Sequence, residues 1–146
     1  MDIRKLQRVI VDALEDVKAQ DIVVHNTKQL TNEFERVIIA SGSSNRQTRA
    51  LGYNVCQEVK QAGGEVLGME GTDTGEWVLV DCGAAIVHIL QPAMREYYNL
   101  EEIWGGKKVN IKLHGDKEAS PVTDDAASAT RRPKAVRGKM IRIIED

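Results

Sequence analysis

Residues 76–104 read EWVLVDCGAAIVHILQPAMREYYNLEEIW, and this stretch does most to decide the fold. Two apolar runs rich in β-branched residues, 77–82 and 84–90, are separated only by a bend at Gly83. So short a link predicts two antiparallel neighbouring strands. Pro92 suits the first turn of a short helix, PAMREYY, and the sequence then predicts one more helical turn.

The upstream sequence predicts the remaining elements of the domain. Apolar residues recur at helical spacing over 2–19 and again over 45–62, which predicts two amphipathic helices. Shorter β-branched runs predict three further strands, the last of them a weak edge strand, at 21–25, 34–41 and 65–71. The resulting order, α-β-β-α-β-β-β-α, predicts an α/β fold with a mixed β-sheet flanked by helices.

The charges divide the chain into an acidic body and a basic tail. The 146 residues have a net charge of −2, and 42% are hydrophobic and 29% charged. Residues 105–146 hold ten Lys or Arg against six Asp or Glu, whereas residues 1–104 hold ten against sixteen. We therefore expect one α/β domain over 1–104 and a flexible polar tail over 105–146. The tail permits a weak, salt-sensitive RNA contact through its basic residues Arg131, Arg132, Lys134, Arg137 and Lys139.

Cysteine usage and hydropathy favour a reduced, soluble, cytoplasmic protein. Cys56 and Cys82 are too few for a disulfide framework or a zinc site. No segment reaches the roughly 18 apolar residues that a membrane helix needs. The N-terminal sequence MDIRKLQRVI lacks the apolar core and the cleavage site of a signal peptide. We therefore expect no metal, no cofactor and no membrane partner.

The turn SGSSNRQT, residues 41–48, is the first candidate for chemistry. A strand, a Gly-Ser turn and a helix start can bind an anion such as a triphosphate. A nucleotide-binding or nucleotidyl-transfer enzyme using Gly42-Ser43 would also need paired carboxylates for metal ions, yet the next acid downstream is Glu58, deep in the helix. The alternative is a plain helix cap, in which Ser44 and Gln47 form a capping box.

Asp81 and His88 are the second candidate. Neighbouring strands could bring them together as a general-base pair. Spacing specifies no nucleophile, because Cys82 points to the opposite strand face from Asp81. The alternatives are a structural hydrogen bond or a histidine at a partner surface.

Aromatic and charged residues cluster in the same stretch, which holds both tryptophans and two of the three tyrosines. Alternation places Trp77, Leu79 and Asp81 on one face of their strand and two valines on the other. Because the valine face suits the core, we expect the Trp77 face to be partly exposed and to bind a partner. Self-association through this aromatic patch would give a homodimer.

Three motifs give the chain a resemblance to a known family. They are SGSSNRQ at 41–47, EWVLVDCGAAIVHILQP at 76–92 and REYYNLEEIW at 95–104. With these motifs in this order, the sequence from Leu6 to Trp104 resembles the ribosomal silencing factor family, also called the Iojap or RsfS family. Cys82 and Ala84 depart from the family pattern, which commonly has a tyrosine-like and a polar residue at these positions.

The resemblance implies a nucleotidyltransferase-like fold without the catalytic carboxylates, and a function that is not enzymatic. Family members bind the large ribosomal subunit through its protein number fourteen, block joining of the small subunit and lower translation when nutrients are short. The acidic body suits a basic ribosomal protein as partner. Carried over by motif position, the ribosomal-protein-binding residues would be Trp77, Asp81, His88, Arg95, Glu96 and Tyr98.

Overall fold

The computed structural model describes residues 1–103 together with 108, 109, 111 and 113. The elements in chain order are α1 (Ile3–Asp16), β1 (Gln20–Asn26), β2 (Arg36–Ser41), α2 (Asn45–Gln61), β3 (Gly68–Glu70), β4 (Trp77–Asp81), β5 (Ala85–Leu90), α3 (Pro92–Tyr98), a 3₁₀ turn (Leu100–Glu102) and β6 (Lys108–Val109). This order confirms the predicted α/β class and adds β6. None of the helices in this part of the chain is long and apolar enough to cross a membrane.

Among the strands that the structure describes, the central pair is parallel and the other neighbours are antiparallel, so the sheet is mixed. The strand order is β3-β4-β5-β2-β1-β6, and β2 and β5 are the parallel neighbours. The connection between these two strands contains α2, as a parallel pairing requires a long crossover. The β4–β5 pair is antiparallel, as predicted, and sets Trp77 opposite Leu90 and Leu79 opposite His88. The weak strand β3 lies at one edge, also as predicted.

α1 and α2 cover one face of the sheet with the larger hydrophobic core. The helices contribute Leu6, Ile10, Val11, Ala13, Leu14, Leu51, Val55 and Val59, and the strands contribute Val24, Ile38, Ala40, Val78, Val80, Ala85, Val87 and Ile89. Burying a Val, Leu or Ile side chain contributes about 1.5–3 kcal/mol, so this face is the main source of stability. Val109, Ile111 and Leu113 also pack against it, although the sequence predicts that the tail begins before them.

The opposite face carries a smaller core, closed by the segment around α3 and the 3₁₀ turn. Its buried members are Phe34, Val37, Ile39, Leu79, Ile86, Leu90, Leu100 and Ile103. The predicted partial exposure of Leu79 is therefore wrong, since Leu79 is fully buried. Alternation assigned it to the correct face, but the returning chain covers that face. Trp77 and Asp81, at the two ends of β4, remain half-buried.

The turn between β3 and β4 is held against the start of α2. Gly71 has a φ of +88°, and a Cβ at this position would lie 2.0 Å from the carbonyl oxygen of Trp77. Gly75 has a φ of +77°, and a Cβ there would lie 2.7 Å from the carbonyl oxygen of Asn45. The Thr48 hydroxyl donates to the Gly75 carbonyl. Only glycine fits these two positions, so the turn fixes where β4 begins.

α2 begins with a cap that also ties it to the end of α1. The Gln47 backbone N–H donates to Ser44 Oγ at 3.0 Å, as the capping box predicts. Gln47 Oε1 accepts from the Ser43 backbone N–H at 2.5 Å and from its hydroxyl at 2.8 Å. Gln47 Nε2 donates to the Val17 carbonyl at 2.9 Å. These bonds support the helix-cap interpretation of the 41–48 turn.

Candidate docking surface

Trp77 is held by a hydrogen bond to a buried histidine. The indole Nε1–H of Trp77 donates to His88 Nδ1 at 3.0 Å, and the two ring centroids are 5.9 Å apart. His88 lies on the neighbouring strand β5, on the same face of the sheet. An indole can only donate, so His88 Nδ1 must be unprotonated. The bond fixes the orientation of an indole that is otherwise half-exposed.

Burial keeps His88 neutral. The imidazole is fully buried, and this desolvation lowers its pKa to about 3. With Nδ1 accepting from Trp77, the remaining proton resides on Nε2, which has no hydrogen-bond partner among the described residues. A buried base with so low a pKa is a poor proton acceptor at neutral pH. The geometry therefore makes His88 a support for Trp77.

Asp81 and His88, the candidate general-base pair, do not lie directly opposite each other in the sheet. The strand register sets Asp81 opposite Ile86, two residues away from His88 along β5. Asp81 Oδ1 accepts from the Gly83 backbone N–H at 3.0 Å and so stabilises the bend between β4 and β5. Each residue of the candidate pair thus has a structural hydrogen bond to a different partner, Asp81 to Gly83 and His88 to Trp77.

Three aromatic rings run from the sheet to the surface. The Trp77 and Tyr98 ring centroids are 5.1 Å apart, and Tyr98 and Tyr97 meet edge to face at 4.8 Å. We call Trp77, Tyr98 and Tyr97 the aromatic row. Its outer member is 75% exposed, whereas the other two are half-buried. Aromatic rings fixed in this way offer a large contact area and lose little conformational entropy when a partner binds.

Arg95 clamps α3 onto the sheet. Its guanidinium forms a two-pronged contact with Glu101, with Nε–Oε1 at 3.3 Å and Nη2–Oε2 at 2.8 Å. Nη1 donates to the hydroxyl of Ser41, at the end of β2, at 2.8 Å. Only 8% of Arg95 is exposed. One side chain thus joins α3, the 3₁₀ turn and the sheet beneath the aromatic row.

A groove of about 620 Å³ opens beside the outer end of the aromatic row. We call it the Tyr97 groove, and its lining residues are Asn45, Glu76, Gln91, Ala93, Met94, Tyr97 and Tyr98. Asn45 begins α2, which follows β2, and Gln91 precedes α3, which follows β5. Because β2 and β5 are parallel neighbours, both helices start beside the carboxyl ends of these two strands. In open α/β sheets, ligands usually bind at the carboxyl ends of the strands.

Comparison with known proteins decides the family. A family model described as "Ribosomal silencing factor during starvation" (RsfS) matches residues 1–139. A ribosomal silencing factor of Chromobacterium violaceum is 43% identical over 122 residues, covering 84% of this chain and all of that protein. The chain belongs to the ribosomal silencing factor family. The Haemophilus influenzae ribosomal silencing factor is 39% identical, over 68% of this chain and 97% of its own length.

Solved structures agree with the RsfS assignment. A crystal structure of a protein from Chromobacterium violaceum superposes with a TM-score of 0.70 at 41% identity, covering 87% of this chain and 97% of the other. A Bacillus halodurans structure gives a TM-score of 0.67 at 30% identity, covering 74% and 99%. The RsfS match extends past Trp104, to residue 139, and so includes much of the region that the sequence assigns to the tail.

The structure brings together three of the six predicted RsfS contact residues and separates the others. Trp77, His88 and Tyr98 form one contact network, in which Trp77 touches both of the others. Arg95 lies beneath this network, and Glu96 is exposed on the outer side of α3. Asp81 is at the far end of β4 from Trp77. Trp104, part of the aromatic cluster in the sequence, lies outside the described residues.

The Tyr97 groove could not be read from sequence motifs. Asn45 and Gln91 are 46 residues apart, and their side chains hydrogen-bond to each other. Each stands at the start of a helix, where polar residues are common, so no motif singles out either of them. Strand topology was the feature that could have revealed the groove. A prediction that β2 and β5 are parallel neighbours would have placed both helix starts at the carboxyl ends of these strands.

The remaining candidates for chemistry are a metal site and the two cysteine thiols. Among the residues that the structure describes, no three His, Cys, Asp or Glu side chains gather in a way that could hold a metal ion. Burial raises the pKa of Cys82 to about 12, with smaller contributions from Cys56 and Asp81. Burial also raises the pKa of Cys56, and Lys60 partly offsets this. Both thiols are therefore protonated at neutral pH and are weak nucleophiles.

Proposed function

We propose that this protein binds the large ribosomal subunit through ribosomal protein number fourteen and sterically prevents the small subunit from joining, lowering translation when nutrients are short. The observation that carries the proposal is the exposed, rigidly supported aromatic row on a chain of the ribosomal silencing factor family. The protein is a regulator and not an enzyme in this proposal. Its site of action is the cytoplasm.

The charge of the surface suits a basic ribosomal protein. Residues 61–103, which supply β3 to β5, α3 and the 3₁₀ turn, hold eight acidic residues and a single basic one, Arg95. Arg95 is buried and paired with Glu101, so it offsets the charge of that one carboxylate and the segment stays net negative. Such an acidic surface speeds association with a basic partner and disfavours direct contact with RNA.

A more distant relative supports the choice of subunit. A mouse protein named "Mitochondrial assembly of ribosomal large subunit protein 1" is 28% identical, over 66% of this chain and 43% of its own length. Its name concerns assembly of the large subunit of mitochondrial ribosomes. A shared partner on the large subunit would explain how proteins of one family act in bacteria and in organelles.

The proposed contact residues fall into two groups by exposure. Trp77, Tyr98, Asp81 and Glu96 have accessible surface and would touch the partner. His88 has no exposed surface and Arg95 has little, so we propose that these two position the contacts and do not touch the partner directly.

The test is to measure binding and subunit joining with one pair of variants. Purified protein is expected to co-sediment with large subunits and to suppress the light-scattering rise when small subunits are added. Trp77→Ala should weaken binding by about 2–4 kcal/mol, 30-fold or more, because it removes a central aromatic contact. Tyr53→Ala is the matched control, since Tyr53 is 53% exposed on α2 and lies outside the aromatic row.

Three results would count against the proposal. Absence of wild-type binding to large subunits overturns the function. Binding that Trp77→Ala leaves unchanged overturns the choice of surface. Binding without any effect on subunit joining overturns the steric mechanism. Sedimentation equilibrium at low and high concentration separately tests whether the aromatic row is used in a homodimer.

A further inference from the structure

We infer that the Tyr97 groove receives an arginine or lysine side chain from the protein partner. The inference rests on the proposed function, and it specifies the chemistry by which this surface recognises its partner. The groove adjoins the aromatic row through Tyr98, so a partner seated on Trp77 would also reach it. Its other walls come from the starts of α2, β4 and α3.

The lining combines the two groups that bind an organic cation. Tyr97 and Tyr98 meet edge to face, which fixes the two rings relative to each other. Tyrosine faces attract guanidinium and ammonium groups through their π-electrons. Glu76 supplies a carboxylate at the same groove, and its side chain is exposed. A cation between a carboxylate and aromatic rings is stabilised by both, and Met94 can pack against its methylene stem.

An anionic occupant is disfavoured even though α2 starts at the groove. Two backbone donors near this helix start are already used, because Ser43 N–H donates to Gln47 Oε1 and Gln47 N–H donates to Ser44 Oγ. The amides of Asn45 and Gln91 are engaged with each other. The one charged side chain among the lining residues is the carboxylate of Glu76. This charge complementarity favours a cationic side chain of a basic protein as the occupant of the groove.

A double-mutant cycle tests whether Tyr97 and Glu76 hold the same cation. Tyr97→Leu keeps an apolar side chain but removes the ring, and Glu76→Gln removes the charge with little change in shape. Each is expected to weaken large-subunit binding about 3- to 10-fold. The double variant should lose clearly less than the product of the two single losses, because one cation cannot be lost twice. Glu76→Gln should also reduce the dependence of binding on salt.

Two control variants remove the same groups elsewhere. Tyr53→Leu removes an exposed tyrosine from α2, and Glu65→Gln removes an exposed carboxylate before β3. Neither residue lines the groove, so both variants should bind within twofold of wild type. If Glu65→Gln weakens binding as much as Glu76→Gln does, the effect is general surface charge and the inference is wrong.

Photocrosslinking identifies the occupant. With p-benzoylphenylalanine at position 97, full-length protein on large subunits should crosslink to a ribosomal protein, within a segment that contains Lys or Arg. Crosslinking to ribosomal RNA, to the chain's own basic tail or to a second copy of this protein overturns the inference.

The inference can fail independently of the proposed function. If Trp77→Ala abolishes binding while Tyr97→Leu and Glu76→Gln bind like wild type, the surface is correct and the cation groove is wrong. If the wild-type protein does not bind large subunits at all, both fail together.

Discussion

The two faces of the sheet are buried in different ways. Between the sheet and the α1–α2 layer lies the larger apolar cluster, and Thr48 is the buried polar residue that α2 contributes in the part of the chain that the structure describes. On the opposite face, His88, Ser41 and Arg95 are buried among or beside the apolar residues that α3 and the 3₁₀ turn cover. Apolar packing stabilises the domain without fixing any particular surface group. Buried polar groups contribute less stability but have directional partners, here Trp77 and Glu101, and therefore fix the orientation of a surface.

The largest effect is expected from a cavity on the apolar face. Leu51 on α2 is fully buried there, and Leu51→Ala should lower the free energy of unfolding by about 2–5 kcal/mol. Chemical denaturation measures this loss. The folded fraction should still bind large subunits with wild-type affinity, because the aromatic row lies on the other face. Leu67→Ala, at a side chain that is 60% exposed, is the control and should change the free energy of unfolding by no more than about 0.5 kcal/mol.

A smaller loss of stability, accompanied by a loss of binding, is expected at Arg95. Arg95→Met should cost about 1.5–3 kcal/mol in unfolding free energy, because it removes charge-assisted bonds and leaves Ser41 and Glu101 without this partner. Ribosome binding should also weaken, since α3 would lose its anchor under the aromatic row. Arg46→Met, on the exposed start of α2, is the control. Equal effects of the two variants would show that Arg95 is not a clamp.

His88, on the sheet face that α3 covers, should make the stability of the protein sensitive to acid. Its pKa is about 3 in the folded protein, whereas an unfolded histidine titrates near 6.5. The stability that neutral His88 contributes is complete above pH 6.5 and is lost as the pH falls from 6.5 towards 3, because the unfolded chain then binds a proton that the folded chain does not. The slope from this one group approaches about 1.4 kcal/mol per pH unit.

Denaturation of wild type and His88→Gln between pH 7.5 and 4.5 measures this contribution. The variant should have the flatter profile, because glutamine does not titrate. If the unfolding free energies of both proteins change in parallel with pH, protonation of His88 does not destabilise the folded state. The hydrogen bond from Trp77 to His88 would then not be what orients the indole.

Much of the fold could be predicted from sequence, because helical and strand periodicities report which side of an element is apolar. The α1 and α2 stripes, the β4–β5 pair and the short helix after Pro92 are all observed. Periodicity failed at Leu79, where the residue lies on the predicted face of β4 but α3 and the 3₁₀ turn close over it. Local sequence cannot report that a distant segment returns to cover a strand.

The sequence motifs alone did not distinguish residues that would touch the partner from residues that hold those contacts in position. Trp77, His88, Arg95 and Tyr98 share two short motifs, and each has a side chain suited to recognition. Their burial distinguishes them: His88 and Arg95 point their polar atoms into the molecule, whereas the aromatic row reaches the surface. Burial depends on contacts between residues far apart in the chain, so it is not encoded in the spacing of a motif.

By itself, the sequence determined the elements up to the 3₁₀ turn, the α/β class and the stretch in which the candidate surface lies, since these depend on local propensity and on the order of apolar residues. The tertiary structure decided that Trp77 hydrogen-bonds to His88, that Arg95 ties α3 to Ser41, and that Asn45 and Gln91 share one groove. Each of these contacts joins segments that are brought together only when the sheet assembles. The docking surface is consequently a product of strand register and parallel pairing, and residues 76–104 specify only part of it.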